Sequence, residues 1–168
     1  MLRIFNELKP FFEDCYREIS VREYSRIMKI SAPTSSSLLK LYEKEGILKK
    51  REDKGYLLFR ADREKSILQD LSRIYWKIKL HEVIEAIKSN MHNPAIILFG
   101  SLSKLESKQD SDIDIAVISK TAKKINLETY EVGLKRSIQT FYFKSFNEIN
   151  KDLKLNILNG YVLIGEIE

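Results

Sequence analysis

Apolar residues recur at helical spacing over the first third of the chain and then change to an extended pattern. Residues 2–16 carry apolar side chains three to four positions apart, which predicts an amphipathic helix. Ser20 and Glu23 have the spacing of a capping box and predict the start of a second helix. The N-terminal pattern therefore predicts two consecutive helices.

A third helix is predicted after a very short connection, with Ser31 or Thr34 as its N-cap and Gly46 as its end. After Gly46, the segments Ile47–Lys50 and Tyr56–Arg60 flank turn residues and predict a β-hairpin. Helices in this order, followed by a basic hairpin, are typical of a winged helix-turn-helix, whose third helix enters the DNA major groove. The expected inner face of the third helix is Leu38, Leu39, Leu41 and Tyr42.

The third helix and the hairpin carry residue types that contact double-stranded DNA. Short hydroxyl side chains bond phosphates or base edges, and cations release counterions from the phosphate backbone. Taken singly, each serine is a helix-start residue and each lysine belongs to a solvated face, and Glu52 and Asp53 reduce the charge of the hairpin. The pattern as a whole favours DNA binding. The candidate contacts are Ser31, Thr34, Ser35, Ser36, Ser37, Lys40, Lys44, Lys49, Lys50, Arg51 and Lys54.

The pattern of the second half differs from that of the first. One long helix is expected over residues 66–90, and the fully apolar run Ala95–Phe99 predicts a buried strand after it. Residues 112–118 alternate in polarity and predict a further strand, with Asp112 and Asp114 on one face, about 7 Å apart. The sequence thus predicts a small β-sheet that carries two carboxylates side by side.

Two carboxylates on one face of a buried strand repel each other and lose hydration. A shared divalent cation removes both penalties, and a site made of oxygen ligands suits Mg²⁺ or Mn²⁺. The alternative is a polar patch in which loop amides cap both acids. Gly100 and Ser101, just after the preceding strand, offer backbone N–H groups and a hydroxyl that suit phosphate oxygens. Together these residues predict a metal–triphosphate site.

Gly100-Ser101, ten intervening residues and then Asp112-Ile-Asp114 resemble the signature of the DNA polymerase beta nucleotidyltransferase superfamily. The whole chain resembles an archaeal-type family in which a winged helix is fused to a minimal nucleotidyltransferase domain. The resemblance implies that Asp112 and Asp114 are catalytic and hold two magnesium ions, and that Gly100 and Ser101 bind the phosphates of a nucleoside triphosphate, with ATP as the first choice. Lys104 matches a usually basic position and is implied to contact the triphosphate, whereas Leu105 stands where minimal transferases commonly have glycine.

Active members of the family carry a third carboxylate on the following strand, which serves as metal ligand and general base. Here a helix is expected over Ile125–Arg136, and the strand after it, Ser137–Phe143, contains no acid. Gln139 or Thr140 takes the place of the missing acid, depending on register. The candidates for a substitute base are Glu128 and Glu131.

Composition and charge restrict the cellular environment and the kind of partner that we expect. The chain has 168 residues, of which 43% are hydrophobic and 32% charged, and its longest apolar runs are too short to span a bilayer. A single cysteine, Cys15, excludes an internal disulfide, so we expect a reducing, cytoplasmic setting. Of the net charge of +5, most lies in residues 1–65, which hold 15 Lys/Arg against 11 Asp/Glu and suggest an anionic partner for that part.

The expected fold is α+β, with a winged helix over residues 1–65, a connecting helix over 66–90 and a minimal nucleotidyltransferase domain over 91–168. That domain is a mixed sheet with packed helices and ends in a helix capped by Ser145 and a strand at Tyr161–Ile164. A homodimer is an expectation, because winged-helix proteins commonly read two-fold sites.

Two functions remain open from the sequence. In the first, the protein transfers a nucleoside monophosphate, AMP by first choice, from a magnesium-bound triphosphate to a hydroxyl of a protein or RNA. In the second, a degenerate transferase fold serves as the nucleotide-sensing or dimerising body of a DNA-binding transcriptional regulator or antitoxin.

Overall fold

The computed structural model describes residues 2–166, which divide into two compact units. Unit 1 contains the residues up to Ser72 together with Leu105–Gln109, and unit 2 contains Arg73–Lys104 together with the residues from Asp110 onward. Within the described part of the chain, no helix is both long and apolar enough to cross a membrane.

Unit 1 has the element order of a winged helix-turn-helix, as predicted. Its three strands form an antiparallel sheet in the order β1-β3-β2. The two-residue β1 was not predicted, because so short a strand shows no periodicity. The elements are α1 (Arg3–Glu13), β1 (Ile19–Ser20), α2 (Val21–Met28), α3 (Ala32–Lys44), β2 (Leu48–Asp53) and β3 (Tyr56–Ala61).

Local sequence accounts for the boundaries of these elements. Ser20 caps α2 by accepting a hydrogen bond from the Glu23 N–H at 3.2 Å. Lys54 and Gly55 have φ values of 49° and 78°, so they form the two-residue turn that matches the twist of a hairpin. The strand β2 therefore runs closer to the turn than the predicted segment Ile47–Lys50, whereas β3 begins at Tyr56 as predicted.

The core of unit 1 corrects the predicted inner face of α3. Its buried positions are Ser35, Leu39 and Tyr42, whereas Leu41 is 50% exposed. The reason is that residues four and three apart lie on one side of a helix, and Leu41 falls outside that stripe. The other large buried side chains of this core include Phe5, Leu8, Phe11, Phe12, Tyr24 and Phe59.

The single helix expected over residues 66–90 is instead two helices, α4 (Ser66–Lys79) and α5 (His81–Asn90). Leu80 between them has φ −90° and ψ 8°, and its side chain is completely buried. The chain leaves helical geometry for one residue only, because Leu80 N–H still donates to the Trp76 carbonyl and Leu80 C=O still accepts from Ile84.

Unit 2 is built on a four-stranded sheet in the order β6-β5-β4-β7. The strand β5 pairs antiparallel with β4 and parallel with β6, and β7 pairs antiparallel with β4 at the other edge. The predicted strand Ala95–Phe99 and the last strand Tyr161–Ile164 are both confirmed. The elements are β4 (Ala95–Phe99), α6 (Gly100–Ser103), β5 (Ile113–Ile118), α7 (Glu128–Leu134), β6 (Ile138–Phe143), a 3₁₀ turn (Phe146–Glu148), α8 (Lys151–Leu158) and β7 (Tyr161–Ile164).

Two predicted helices of unit 2 have different bounds. α7 is shorter than Ile125–Arg136, and it ends at Leu134 because Lys135 adopts the left-handed conformation, with φ 54°. The last helix is not capped by Ser145. Asn150 caps it, accepting from the Leu153 N–H at 2.9 Å, so that α8 begins at Lys151.

The two acids lie on the same face of the sheet as the apolar cluster that α8 covers. This cluster joins residues of β4 and β5 to α8 and the segment before it: Ala95, Ile97, Phe99, Ala116, Ile149 and Ile157. Side chains alternate along β5, so Asp112 and Asp114 lie on the same face as Ala116. Ile113, Ile115 and Val117 are fully buried on the opposite face, as predicted. The acids therefore stand at one end of this packed face.

Candidate functional site

The acids of β5 meet the turn that follows β4. Asp114 pairs with Phe99 in the antiparallel register, so Gly100 comes next to the Asp114 side chain. Gly100 has φ +69°, and a Cβ atom built on it would collide with Oδ2 of Asp114. Two features favour glycine here: the left-handed backbone conformation and the close approach of the Asp114 carboxylate.

The electrostatics of the pair agree with the predicted repulsion. Partial burial raises the pKa of Asp114 above its usual value, and the negative charge of Asp112 raises it further. Among the described residues, neither acid forms an ion pair with a lysine, arginine or histidine. The site therefore concentrates negative charge without a compensating cation.

The register of β6 decides which residue replaces the missing third acid. Gln139 pairs with Asp114, whereas Thr140 pairs with Ile115 and lies on the opposite face. Gln139 donates a hydrogen bond from Nε2 to Oδ2 of Asp112 at 2.6 Å. An amide thus stands where a third carboxylate would complete the group, and it holds Asp112 in place without adding charge.

The two glutamates considered as substitute bases have local partners. Glu131 accepts a hydrogen bond from the backbone N–H of Ile138 at 2.6 Å, which fixes its carboxylate at the start of β6. Glu128 lies beside Asn126 at the start of α7, with its N–H bonded to the Asn126 side chain at 2.8 Å. Among the described residues, neither glutamate forms a hydrogen bond with Asp112 or Asp114, so no acid of α7 joins the pair.

The predicted phosphate-binding residues form one short turn. Gly100–Ser103 is a single helical turn, and the Ser103 hydroxyl donates to the Gly100 carbonyl at 2.9 Å. Lys104 follows it, with its ammonium 3.4 Å from the side-chain oxygen of Asn156 on α8. The structure therefore brings Ser101 and Lys104 to the same end of the sheet as the two acids.

Two residues that contact this turn were not predicted from the sequence. Arg73 donates from Nε to the Ser103 carbonyl at 2.9 Å, and Asn156 contacts Lys104. Both lie far from the turn along the chain, on α4 and α8, and no spacing in the sequence connects them to it. Only the tertiary fold could have identified them.

The donor set fits a hard divalent cation. Two carboxylates share one face, and the missing Cβ of Gly100 lets the Asp114 carboxylate lie directly against the turn. Mg²⁺ is typically bound by one or two carboxylates, with substrate phosphates and water as the remaining ligands. Among the described residues, no group of three or more His, Cys, Asp or Glu side chains could hold a metal alone. Asp112 and Asp114 are thus the residues that would hold magnesium or manganese.

Leu105 occupies a glycine-like conformation in the loop between the turn and the acids. Its φ is +57°, which is unusual for leucine, and its side chain is completely buried. Burial of this side chain offsets a strain of about 1 kcal/mol. The departure from glycine noted in the sequence is therefore a packing feature of unit 1, to which Leu105–Gln109 belongs.

Several further contacts fix this segment within unit 1. The Ser107 hydroxyl donates to the Phe12 carbonyl at 2.7 Å, and the Cys15 N–H donates to the Ser107 carbonyl at 2.8 Å. Arg63 donates from Nε to the Leu105 carbonyl at 3.2 Å. Burial raises the pKa of the Cys15 thiol, which is consistent with a packing role.

The start of α3 shows which predicted DNA contacts are accessible. Ser31 is the N-cap, accepting from the Thr34 N–H at 3.2 Å. Ser35 corrects the prediction: its side chain is completely buried and donates to the Ser31 carbonyl at 2.9 Å, so it supports the helix and cannot contact DNA. Ser36 is half-buried, and Ser37 is exposed.

One face of α3 is open to solvent. Thr34, Ser37, Lys40 and Lys44 are exposed and follow one another three or four residues apart, so they lie on one side of the helix. Leu41, expected in the core, is exposed between them. This face combines hydroxyls, two cations and one apolar side chain, the composition used to contact the edges and phosphates of a DNA groove.

The cations of the hairpin are mostly paired with acids of unit 1. Lys49 lies 3.0 Å from Asp62 and 2.6 Å from Glu64. Lys50 lies 3.4 Å from Glu43, and Arg51 makes a bidentate contact with Glu18. Lys54, at the exposed turn, has no ion pair among the described residues.

Unit 2 contains a crevice that is separate from the acid pair. It encloses about 800 Å³ and is lined by, among others, Lys88, His92, Ile118, Lys120 and Phe146. Ile118 is the last residue of β5, whereas Asp112 precedes its first residue. Because the acids and Gly100 are not among its lining residues, this crevice is distinct from the candidate site.

Comparisons with known proteins address both halves of the chain. Residues 81–167 match the family model described as "Polymerase beta, Nucleotidyltransferase". A solved structure of a MarR family protein from Bacillus stearothermophilus aligns at 16% identity with a TM-score of 0.40, over 53% of this chain and 61% of that one. The chain thus spans less than two thirds of that protein, and the winged-helix assignment rests on the element order of unit 1. No curated protein matches the sequence. Because the family model covers more than half of the chain, the chain belongs to the polymerase beta nucleotidyltransferase family.

Proposed function

We propose that the protein is a cytoplasmic, DNA-binding nucleotidyltransferase that transfers a nucleoside monophosphate from a magnesium-bound triphosphate to a hydroxyl acceptor. AMP from ATP is the first choice, and the acceptor is a protein or an RNA. The observation that supports this most directly is the Gly100–Asp114 junction, where a glycine with a left-handed backbone adjoins an acid pair that has no cationic partner among the described residues.

The proposed roles follow from position. Asp112 and Asp114 hold the metal, and Gln139 orients Asp112 through its 2.6 Å hydrogen bond. The Gly100–Ser103 turn and Lys104 hold the triphosphate, with backbone N–H groups, the Ser101 hydroxyl and one ammonium group facing anionic oxygens. When bound, the metal neutralises phosphate charge and aligns the α-phosphate for in-line attack.

The transfer itself exchanges a phosphoanhydride bond for a phosphodiester bond. The acceptor oxygen forms a bond to the α-phosphorus, and the bond from that phosphorus to the bridging oxygen breaks, releasing pyrophosphate. The acceptor proton leaves to solvent or to a site carboxylate. Positioning and charge neutralisation supply most of the acceleration in such reactions, so a site with two acids retains a means of catalysis.

The presence of a glutamine at position 139, in place of an acid, favours a second function. An amide in the place of the third carboxylate cannot act as an ionised base. If the site binds nucleotide without transferring it, unit 2 is the nucleotide-sensing body of a transcriptional regulator or antitoxin. In both functions, the winged helix binds double-stranded DNA through the exposed α3 face and Lys54.

Label transfer from α-phosphate-labelled ATP tests the proposal. The wild type, with magnesium or manganese, is incubated with tRNA, DNA or a whole-cell protein extract, and covalent label is expected in one of these acceptors. Label should be lost in Asp112→Asn and in Asp114→Asn but kept in Asp152→Asn, a control that removes an exposed acid on α8.

Calorimetry of magnesium–ATP binding separates the two functions. Binding without label transfer, lost in the two site variants and kept in Asp152→Asn, supports the nucleotide-sensing function. The absence of both binding and transfer in the wild type contradicts any role of this site toward nucleotides.

A further inference from the structure

The crevice of unit 2 lies at the end of the sheet that is opposite to the acids. The strands β5, β6 and β7 end there and β4 begins there, because β5 is parallel to β6 and β4 is antiparallel to both β5 and β7. Its volume of about 800 Å³ falls within the roughly 300–1,000 Å³ that is typical of small-molecule sites. Ile118 follows Asp112 by six residues of extended chain, so about 20 Å of strand separates the crevice from the acid pair.

Hydrogen bonds hold the loops around the crevice in a fixed arrangement. The Ser119 hydroxyl donates to the His92 carbonyl at 2.8 Å, and the His92 N–H donates to the Thr121 hydroxyl at 2.8 Å. The Ser119 N–H donates to the Phe143 carbonyl at 3.0 Å. The loop after β5 is therefore bonded both to the segment before β4 and to the end of β6. A preformed wall of this kind lowers the entropic cost of binding a ligand.

The lining of the crevice is rich in cations. It contains three lysines, Lys88, Lys120 and Lys144, which come from α5 and from the ends of β5 and β6. Among the described residues, Lys120 and Lys144 form no ion pair. Two uncompensated ammonium groups at the ends of neighbouring parallel strands suit the oxygens of a phosphate group.

Three acids lie near these lysines and do not cancel their charge. Glu85 lies 2.8 Å from Lys88, and Glu148 accepts a hydrogen bond from the backbone N–H of Lys144 at 2.9 Å, but neither acid lines the crevice. Glu166 lines it and forms no ion pair among the described residues. The crevice therefore sets two uncompensated ammonium groups against one carboxylate, and its net charge favours an anion.

One wall of the crevice is apolar. Ile118, Phe146 and Ile164 line it and are half-buried, so part of each side chain remains open to a ligand. Ile118 and Phe146 also pack against the apolar cluster beneath α8, and the Lys154 ammonium lies 4.4 Å from the centre of the Phe146 ring. The side chain of Asn93 adds a hydrogen-bonding group to the lining. This wall suits a flat ring that carries polar substituents.

We propose that the crevice is a second binding site, which takes a nucleoside monophosphate without a metal ion. The phosphate lies at Lys120 and Lys144, and the base lies against Ile118 and Phe146. A nucleotide combines the three features that the lining matches: an anionic group, hydroxyls and a flat ring. The acid pair attracts a phosphate only through a cation, whereas the crevice attracts it directly. The proposal is therefore independent of the proposed transfer reaction.

Backbone amide chemical shifts of the isotope-labelled full chain test this site. AMP, GMP, CMP and UMP are each titrated in the presence of EDTA, which removes any contribution of a metal at the acid pair. We expect at least one of them to shift the amides of residues 91–93, 118–121 and 144–146 with a dissociation constant below about 1 mM. The amides of residues 100–104 should remain unchanged.

Charge variants test the assigned lysines. The double variant Lys120→Gln, Lys144→Gln should weaken binding at least about tenfold. Lys123→Gln is the matched control, because it removes an exposed lysine of the same loop that does not line the crevice, and it should leave the affinity unchanged. The variant Asp112→Asn, Asp114→Asn should keep metal-free binding, so that failure of the crevice and failure of the acid site are distinguishable.

The choice of probe tests the class of ligand. Inorganic phosphate and adenosine should each bind at least about tenfold more weakly than AMP, because each lacks one half of the ligand. The proposal is overturned by equal affinity for inorganic phosphate and AMP, by shifts confined to residues 100–104, or by no shift with any of the four nucleotides up to about 10 mM. A short oligoribonucleotide that shifts the same amides at least about tenfold more tightly than AMP also overturns it, since the crevice would then hold a strand of RNA.

Discussion

In the hairpin of unit 1, Lys49, Lys50 and Arg51 each lie beside a carboxylate, whereas in unit 2 neither Asp112 nor Asp114 has a cationic partner among the described residues. Residues 1–65 carry most of the net positive charge of the sequence, yet much of that charge is neutralised within unit 1. Unit 2 leaves two negative charges side by side. Local compensation, rather than net charge, therefore distinguishes the two regions.

This difference determines which region gains more free energy from binding a ligand of opposite charge. A lysine that already contacts a glutamate gains less from a DNA phosphate, because it must share or exchange its first partner. The two acids gain from any cation that enters, and the raised pKa of Asp114 reflects their lack of one. The acid site is thus the more strongly predisposed of the two to bind a ligand of opposite charge.

The largest expected effect comes from closing the space beside the uncompensated acids. In Gly100→Ala, the new Cβ displaces the Asp114 carboxylate, and the left-handed backbone adds about 1–2 kcal/mol of strain. We expect magnesium–ATP affinity, measured by calorimetry, to fall about a hundredfold. Gly133→Ala is the control, since a Cβ there meets nothing within 4 Å, and it should leave the affinity unchanged.

A Gly100→Ala protein that is folded and binds magnesium–ATP like the wild type would separate the turn from the acids. In that case the close contact of Gly100 and Asp114 would be a packing feature only. Thermal unfolding of both glycine variants distinguishes this outcome from a general loss of structure.

A smaller effect is expected from adding a third charge to the pair. Gln139→Glu replaces the amide on Asp112 with a carboxylate, which should lower stability without metal by about 0.5–1 kcal/mol. Magnesium should then raise the unfolding midpoint more than in the wild type, with an affinity about tenfold higher. Gln139→Ala removes the hydrogen bond without adding charge, and its response to magnesium should not exceed that of the wild type.

Equal magnesium responses of the Glu and Ala variants would mean that position 139 does not face the bound cation. If the wild type shows no label transfer and Gln139→Glu does, the amide of Gln139 is the reason why the wild-type site is inactive.

The elements with a clear period could be predicted from the sequence. The three helices and hairpin of unit 1, the strand Ala95–Phe99 and the shared face of Asp112 and Asp114 all follow from spacing and turn residues. What spacing alone misplaced were details set by packing. Leu41 was expected on the buried face of α3 and Ser35 on its exposed face. In the structure Leu41 is exposed, and the polar Ser35 is accommodated in the core because its hydroxyl donates to the Ser31 carbonyl.

Relations between distant segments could not be predicted. The sequence left Gln139 and Thr140 as equal alternatives, and only the parallel register of β5 and β6 sets Gln139 against Asp112. Likewise, no local signal connects Arg73 or Asn156 with the turn after β4. A shift of one residue in register exchanges the two faces of a strand, so such assignments require the tertiary structure.

The raised pKa of Asp114 predicts a pH-dependent difference in stability. The folded protein holds this proton more tightly than the unfolded chain, so the charged acid destabilises the fold at neutral pH and the penalty disappears as pH falls through the raised pKa. Asp114→Asn should therefore be more stable than the wild type at neutral pH, by about 0.5 kcal/mol, and the difference should vanish once the pH lies about one unit below the unfolded pKa of about 3.9. Unfolding midpoints across this range provide the measurement.

Repeating the unfolding measurements with magnesium gives a second test of Asp114. Magnesium should remove the advantage of Asp114→Asn at neutral pH by stabilising the wild type alone, because the variant has lost one of the two charges. Asp152→Asn, on the exposed α8, should show neither the pH dependence nor the altered response. A magnesium response of equal size in wild type and Asp114→Asn would place the cation elsewhere.

The smallest expected effect concerns the hairpin. Lys54 has no ion pair among the described residues, whereas Arg51 makes a bidentate contact with Glu18. If DNA phosphates are contacted by uncompensated cations, Lys54→Gln should reduce the slope of log affinity against log salt by about one, and Arg51→Gln by less than about half of that. Fluorescence anisotropy with a labelled duplex over a range of salt concentrations measures both slopes.

The two variants remove the same charge from the same hairpin, so net charge alone predicts equal changes in slope. A larger change for Lys54→Gln attributes DNA affinity to those cations that unit 1 leaves uncompensated. Equal changes would show that DNA displaces Glu18 from Arg51 at little cost, and internal pairing would then not distinguish the hairpin from the acid site. A slope that neither variant alters would place the DNA contacts on the exposed face of α3, where Lys40 and Lys44 provide the cations.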